Sequence, residues 1–138
     1  MKALSFLACL VLVNAHAADD MPSISTGLRV ATCGHSFHVF TYKQVEQIAA
    51  SAGLKHQLAG ISSIGGSTVQ KHWDVPEDKS AVKQVLKAGG ADVLTLSPIW
   101  LPDDAIEQFV KLGIEHNPAL RITVQEYWMP NDEYEPVY

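Results

Sequence analysis

The stretch VATCGHSFHVF, residues 30–40, decides how the chain is read. An apolar, strand-like run stops at Gly34, and a helix-like pattern begins a few residues later. A strand that hands over to a helix so quickly is the joint of a β-α unit. At this joint His35 and Ser36 follow the glycine, with His38 two residues on. A hydroxyl between two imidazoles at such a place has four readings: a nucleophile, part of a metal site, an anion cradle, or a helix cap.

The same alternation continues outward from the joint. Residues 28–33 form an apolar run that predicts a buried strand. Residues 41–52 carry Val45, Ile48, Ala49 and Ala52 at helical spacing, and Gly53 fits the position after the helix end. Residues 57–61 predict a second strand, and residues 62–67 a Gly/Ser loop. Residues 76–88 predict one helix. Glu77 and Asp78 suit its positive end, Val82, Val85 and Leu86 face inward, and Gly89-Gly90 stop it. Residues 92–97 predict a third strand, apolar enough to be buried on both faces. Asp103 or Asp104 can cap a helix with Ile106, Phe109, Val110 and Ile114 on its apolar stripe, and residues 121–128 predict a fourth strand.

The order β-α-β-α-β-α-β implies an α/β fold with a parallel, doubly wound sheet. Ligands of such sheets bind outside the carboxyl ends of the strands. Three loops arrive there, at residues 34–39, 62–70 and 98–104. The chain reaches its fourth strand and an acidic tail with no helix to follow, so it reads as the N-terminal portion of a longer α/β domain.

Residues 1–17 read as a secretory signal peptide. Lys2 precedes an apolar segment too short to span a bilayer, and Ala15-His16-Ala17 supplies small residues for cleavage after Ala17. Residues 18–27 read as a flexible leader. The expected destination is the periplasm or the exterior. The 138-residue chain has a formal charge of −5, and removal of the signal, with its single Lys, makes the product −6. No basic patch stands out, so neither nucleic acid nor an anionic membrane is an expected partner. Cys9 leaves with the signal, and Cys33 is then a lone cysteine at the end of an apolar strand, expected to be buried.

Ser36 at a strand-to-helix turn lies near free helix N–H groups, which suits a nucleophile whose intermediate becomes an oxyanion. The same position suits a Ser that only caps the helix. The triplet is not a G-x-S-x-G elbow, because His38 stands where the second Gly belongs. Nor is it a cysteine phosphatase loop, since Val39 stands where Arg is needed. In the second loop, Gly65 and Gly66 let backbone N–H groups approach a ligand closely. Adjacent strands would bring the two loops to one crevice.

Gly34-His35-Ser36 and Ser63-Ile64-Gly65-Gly66-Ser67-Thr68 together resemble the first and second blocks of the SGNH (GDSL-like) esterases and lipases. The resemblance spans residues 28–128. It implies a flavodoxin-like three-layer α/β/α sandwich and an ester hydrolase, here acting on an acetyl or carbohydrate ester. It implies Ser36 as nucleophile and the N–H groups of Ser36 and Gly66 as oxyanion donors. His35 replaces the Asp of the first block. The third block is Leu96-Ser97-Pro98-Ile99-Trp100, without the family's Asn, and no Asp-x-x-His occurs, so the catalytic His is expected beyond Tyr138.

His35, His38, Gly65, Trp100 and Asn131 are the expected substrate-binding residues, with Asn131 a possible substitute for the absent Asn. Trp73, Trp100 and Trp128 fall near strand ends, where aromatics can floor a sugar or acyl site. His35, His38 and His72 are also weak candidates for the general base or for a zinc half-site; no cofactor and no resident metal are expected. The partner is a small ester or glycan. The alternative reading is a non-catalytic module that holds a small ligand or glycan in the same crevice. The oligomeric state is not legible in the sequence.

Overall fold

The computed structural model of the protein describes residues 25–99 and 102–125. The apolar runs form four strands, β1 (Arg29–Gly34), β2 (Gln57–Ser63), β3 (Val93–Leu96) and β4 (Arg121–Val124). All neighbours pair in parallel, in the spatial order β2-β1-β3-β4. Five helices accompany them: α1 (Ser36–Val39), α2 (Thr41–Ser51), α3 (Val69–Trp73), α4 (Ala81–Lys87) and α5 (Ala105–His116). The fold is α/β and flavodoxin-like, with helices on both faces of the sheet.

Alternation along a strand sends successive side chains to opposite faces. Ala31 and Cys33 of β1 and Leu94 and Leu96 of β3 point to the face covered by α3, α4 and α5. There they join Val69, Val82, Leu86, Ala105, Phe109 and Leu120 in the main core. Trp73 closes one side of this core, edge-on to Phe109 with ring centroids 4.9 Å apart, under the Lys83 ammonium 4.4 Å from its ring. Trp73 thus packs, half-buried, against the main core.

Val30 and Thr32 of β1 and Val93 and Thr95 of β3 point to the other face. Together with Tyr42 and Val45 of α2 they line an open cavity of about 220 Å³. The stripe expected to bury α2 is only partly used: Ala49 is buried, whereas Val45 is 43% and Ile48 68% exposed. Tyr42 instead turns inward, and its buried phenolic oxygen has no hydrogen-bond partner among the described residues.

Other differences from the sequence reading have local causes. β2 runs on to Ser63, because Gly34 is in register with Ser63 and holds Ile64 through a 3.2 Å N–H···O bond. The helix expected over residues 76–88 is broken. Glu77–Lys79 forms a 3-10 turn, and Ser80 leaves helical dihedrals so that its hydroxyl can accept from Lys83 N and start α4. Two short helices, α1 and α3, replace stretches read as loop. The expected signal peptide, Trp100, Trp128 and Asn131 lie outside the described residues. No helix among the described residues is long and apolar enough to cross a membrane.

Candidate functional site

The carboxyl ends of β1, β2 and β3 line up. Ser97 N donates to Cys33 O at 3.1 Å and Ile64 N to Gly34 O at 3.2 Å, so the three following loops leave the sheet side by side. Each loop then spends its polar side chains differently.

On the first loop, the helix cap is His35 and not Ser36. The His35 Nδ1 accepts from Phe37 N at 3.4 Å, and its Nε2 faces Ser97 Oγ at 3.2 Å. The ring is buried, and its pKa is lowered, first by burial and then by the neighbouring charge of His38. Because His35 does the capping, Ser36 enters α1 as its first residue. It is exposed, and its hydroxyl makes no hydrogen bond among the described residues.

His38 turns away from Ser36 toward the cavity face of the sheet. Its Nδ1 lies 2.5 Å from Gln125 Oε1 and its Nε2 2.9 Å from Thr95 Oγ1, which in turn bonds Thr32 Oγ1 at 2.8 Å. Gly34 makes this approach possible, since a Cβ there would stand 2.7 Å from His38 Cδ2. His35 and His38 are thus anchored in different directions, and no group of three or more His, Cys, Asp or Glu among the described residues could hold a metal ion.

On the second loop, Gly65 and Gly66 are exposed, and Gly66 has φ +58°. Thr68 caps α3 through a 3.4 Å bond from Lys71 N, and one turn of α3 carries His72 back over the loop. His72 is 0% exposed, with Nδ1 2.7 Å from Ser62 Oγ and Nε2 2.7 Å from Ser67 Oγ. Its pKa is pushed down to about 4, by burial first and then by His35, with Asp103 acting in the opposite direction. The third loop supplies Asp103. Its carboxylate accepts from Val69 N at 2.6 Å and Ala105 N at 3.3 Å, fastening the starts of α3 and α5 together.

The structure therefore brings Ser36, Gly65 and Gly66 to one edge on adjacent loops, and buries His35 and His72 beneath them. Sequence reasoning gave His72 a minor place and passed over Ser62, Ser67 and Ser97. Thr68 followed by an apolar residue was the available signal for α3, and a five-residue helix returns its fourth residue toward its own N-terminus. Cys33 is buried, and burial pushes its thiol up to about 12. No family model, curated protein or solved structure matches the chain.

Proposed function

We propose that the protein is an exported serine ester hydrolase of the SGNH type, acting on a small acetyl or carbohydrate ester. One observation carries the reading: His35 takes the helix cap, which leaves the Ser36 hydroxyl exposed and uncommitted at the carboxyl edge of β1. The Ser36 oxygen attacks the acyl carbon. The N–H groups of Ser36 and Gly66 receive the oxyanion that forms, and loss of one such donor typically costs about 10²–10³ in rate. The general base lies outside residues 25–125 in this proposal, because His35, His38 and His72 each have both ring nitrogens engaged elsewhere. A seryl hydroxyl that keeps its proton is a weak nucleophile.

The test is hydrolysis of p-nitrophenyl acetate, and labelling by a fluorophosphonate probe, with the secreted gene product. Both should disappear in Ser36→Ala; unchanged turnover in that variant overturns the assignment. The engaged histidines favour a second reading, a non-catalytic module that holds a small ester or glycan in the same crevice. A folded secreted product that takes no probe but binds such a ligand supports it.

A further inference from the structure

The turn that carries Gly66 is tied to the sheet by a chain of three hydrogen bonds whose proton positions can be assigned. Ser67 Oγ donates to Ile64 O at 2.8 Å. A hydroxyl has one proton, so the other partner of that oxygen, His72 Nε2 at 2.7 Å, must be a donor. A neutral imidazole with its proton on Nε2 has an acceptor at Nδ1, and Ser62 Oγ, 2.7 Å away, donates to it. The chain runs from Ser62 near the end of β2, through His72, to Ser67, and back to Ile64. Ile64 and Ser67 are the two residues that flank Gly65 and Gly66.

Among the described residues, no packing is seen at the tip of the turn, whose amino end is also held by the Ile64 N to Gly34 O bond. A Cβ built on either would meet no heavy atom within 4 Å, so the turn is fixed at its ends and not by packing on its tip. Ser67 and His72 are fully buried, out of reach of any substrate, which excludes Ser67–His72 as a reacting pair.

We propose that His72, neutral and protonated on Nε2, is a positioning residue that sets the direction of the Gly66 N–H. The Nε2 proton follows from the geometry, and the Nδ1 acceptor from that geometry with the ring neutral; the catalytic consequence rests on the hydrolase reading above. The groups facing the ring are Ser62 from β2, Ser67 from the turn, His35 at the start of α1 and Asp103 ahead of α5. The low pKa that burial and His35 give the ring keeps it in the required neutral form through the ordinary pH range.

Long-range ¹H–¹⁵N correlation on the histidine-labelled chain should show His72 as the Nε2–H tautomer from pH 7 to pH 5. An Nδ1–H tautomer or an imidazolium at pH 7 overturns the wiring. His72→Leu should broaden or shift the Gly66 amide resonance, and His72→Gln, which can still donate to Ser67, should restore much of it. In the secreted product, His72→Leu should lower kcat for p-nitrophenyl acetate by roughly 10–10²-fold, less than the roughly 10²–10³ of losing a donor outright because the Gly66 N–H is misdirected and not removed, and leave KM within about threefold. A folded His72→Leu protein with unchanged kcat and an unchanged Gly66 amide refutes the proposal. If His72→Leu does not fold, Ser67→Ala gives the same two readouts. If instead Ser36→Ala leaves turnover untouched while the tautomer and the Gly66 amide behave as stated, the hydrolase reading fails and the clamp stands.

Discussion

Acidification from pH 7 to pH 5 should destabilise the fold, and His72 should supply a measurable share of the loss. The unfolded side chain titrates at an ordinary pKa near 6.5, whereas in the fold burial holds it at about 4. Above pH 6.5 neither state binds the proton, and the folded protein loses nothing. Between 6.5 and 4 the unfolded chain binds a proton that the folded chain refuses, so stability falls with pH by up to about 1.4 kcal/mol per unit. Integrated from pH 7 to pH 5, this single group accounts for about 2 kcal/mol, a large fraction of a small domain's stability. His35, also lowered by burial, acts in the same direction. The lowered Asp92 carboxyl, hydrogen-bonded to Arg29, costs stability only as pH falls below its unfolded value of 3.8, outside this window. Urea denaturation followed by circular dichroism at pH 7, 6 and 5 and constant ionic strength gives the slope. His72→Gln should be less stable than wild type at pH 7 yet flatter with pH, by about 2 kcal/mol over the two units. Parallel slopes in the two proteins would refute the burial argument.

Gly66→Ala should cost about 1–2 kcal/mol, because φ +58° strains any L side chain although space is free, while Gly65→Ala should cost no such strain; thermal melts of the two variants separate backbone strain from bulk. Cys33 should stay unreactive toward Ellman's reagent at pH 8 until urea unfolds the chain, since its thiol is buried and titrates at about 12. Phe109→Ala should lose about 3–5 kcal/mol in urea titration, because it empties the contact with Trp73 at the centre of the main core.

The parallel sheet was legible because its signal is redundant. Four apolar runs, the first three each followed by a turn residue and a helical stripe, leave little choice of architecture, and the helices at 41–51 and 105–116 lie within a residue or two of their expected limits. Short elements were not legible. α3 has five residues, with Val69 and His72 its buried ones, too few for a 3.6-residue period to register. The break at Ser80 was hidden for the opposite reason: the apolar spacing of Val82, Val85 and Leu86 is helical on either side of the question, and only the Ser80 hydroxyl bond to Lys83 N decides where the helix starts. The inward stripe of α2 failed at Val45 and Ile48 because periodicity identifies an apolar face and not what covers it.

The question posed by residues 34–38 turns on which side chain supplies an acceptor to Phe37 N. Propensity favours Ser, Thr, Asp or Asn as a cap, since each offers a side-chain oxygen to a free N–H. By that rule Ser36 caps the helix and its hydroxyl is spent. His35 is a poor cap by propensity, but a neutral imidazole has one unprotonated nitrogen, and Nδ1 does the work of the carboxylate oxygen. The bond to Ser97 Oγ then falls to Nε2, and burial keeps the ring neutral so that Nδ1 remains an acceptor. The cap therefore moves one residue toward the strand, and the hydroxyl that propensity would assign to structure is left exposed. Protonation of His35 would convert that acceptor to a donor facing Phe37 N–H. The arrangement that exposes Ser36 thus depends on the same neutrality that His72 requires, and acid should loosen both loops of the crevice together.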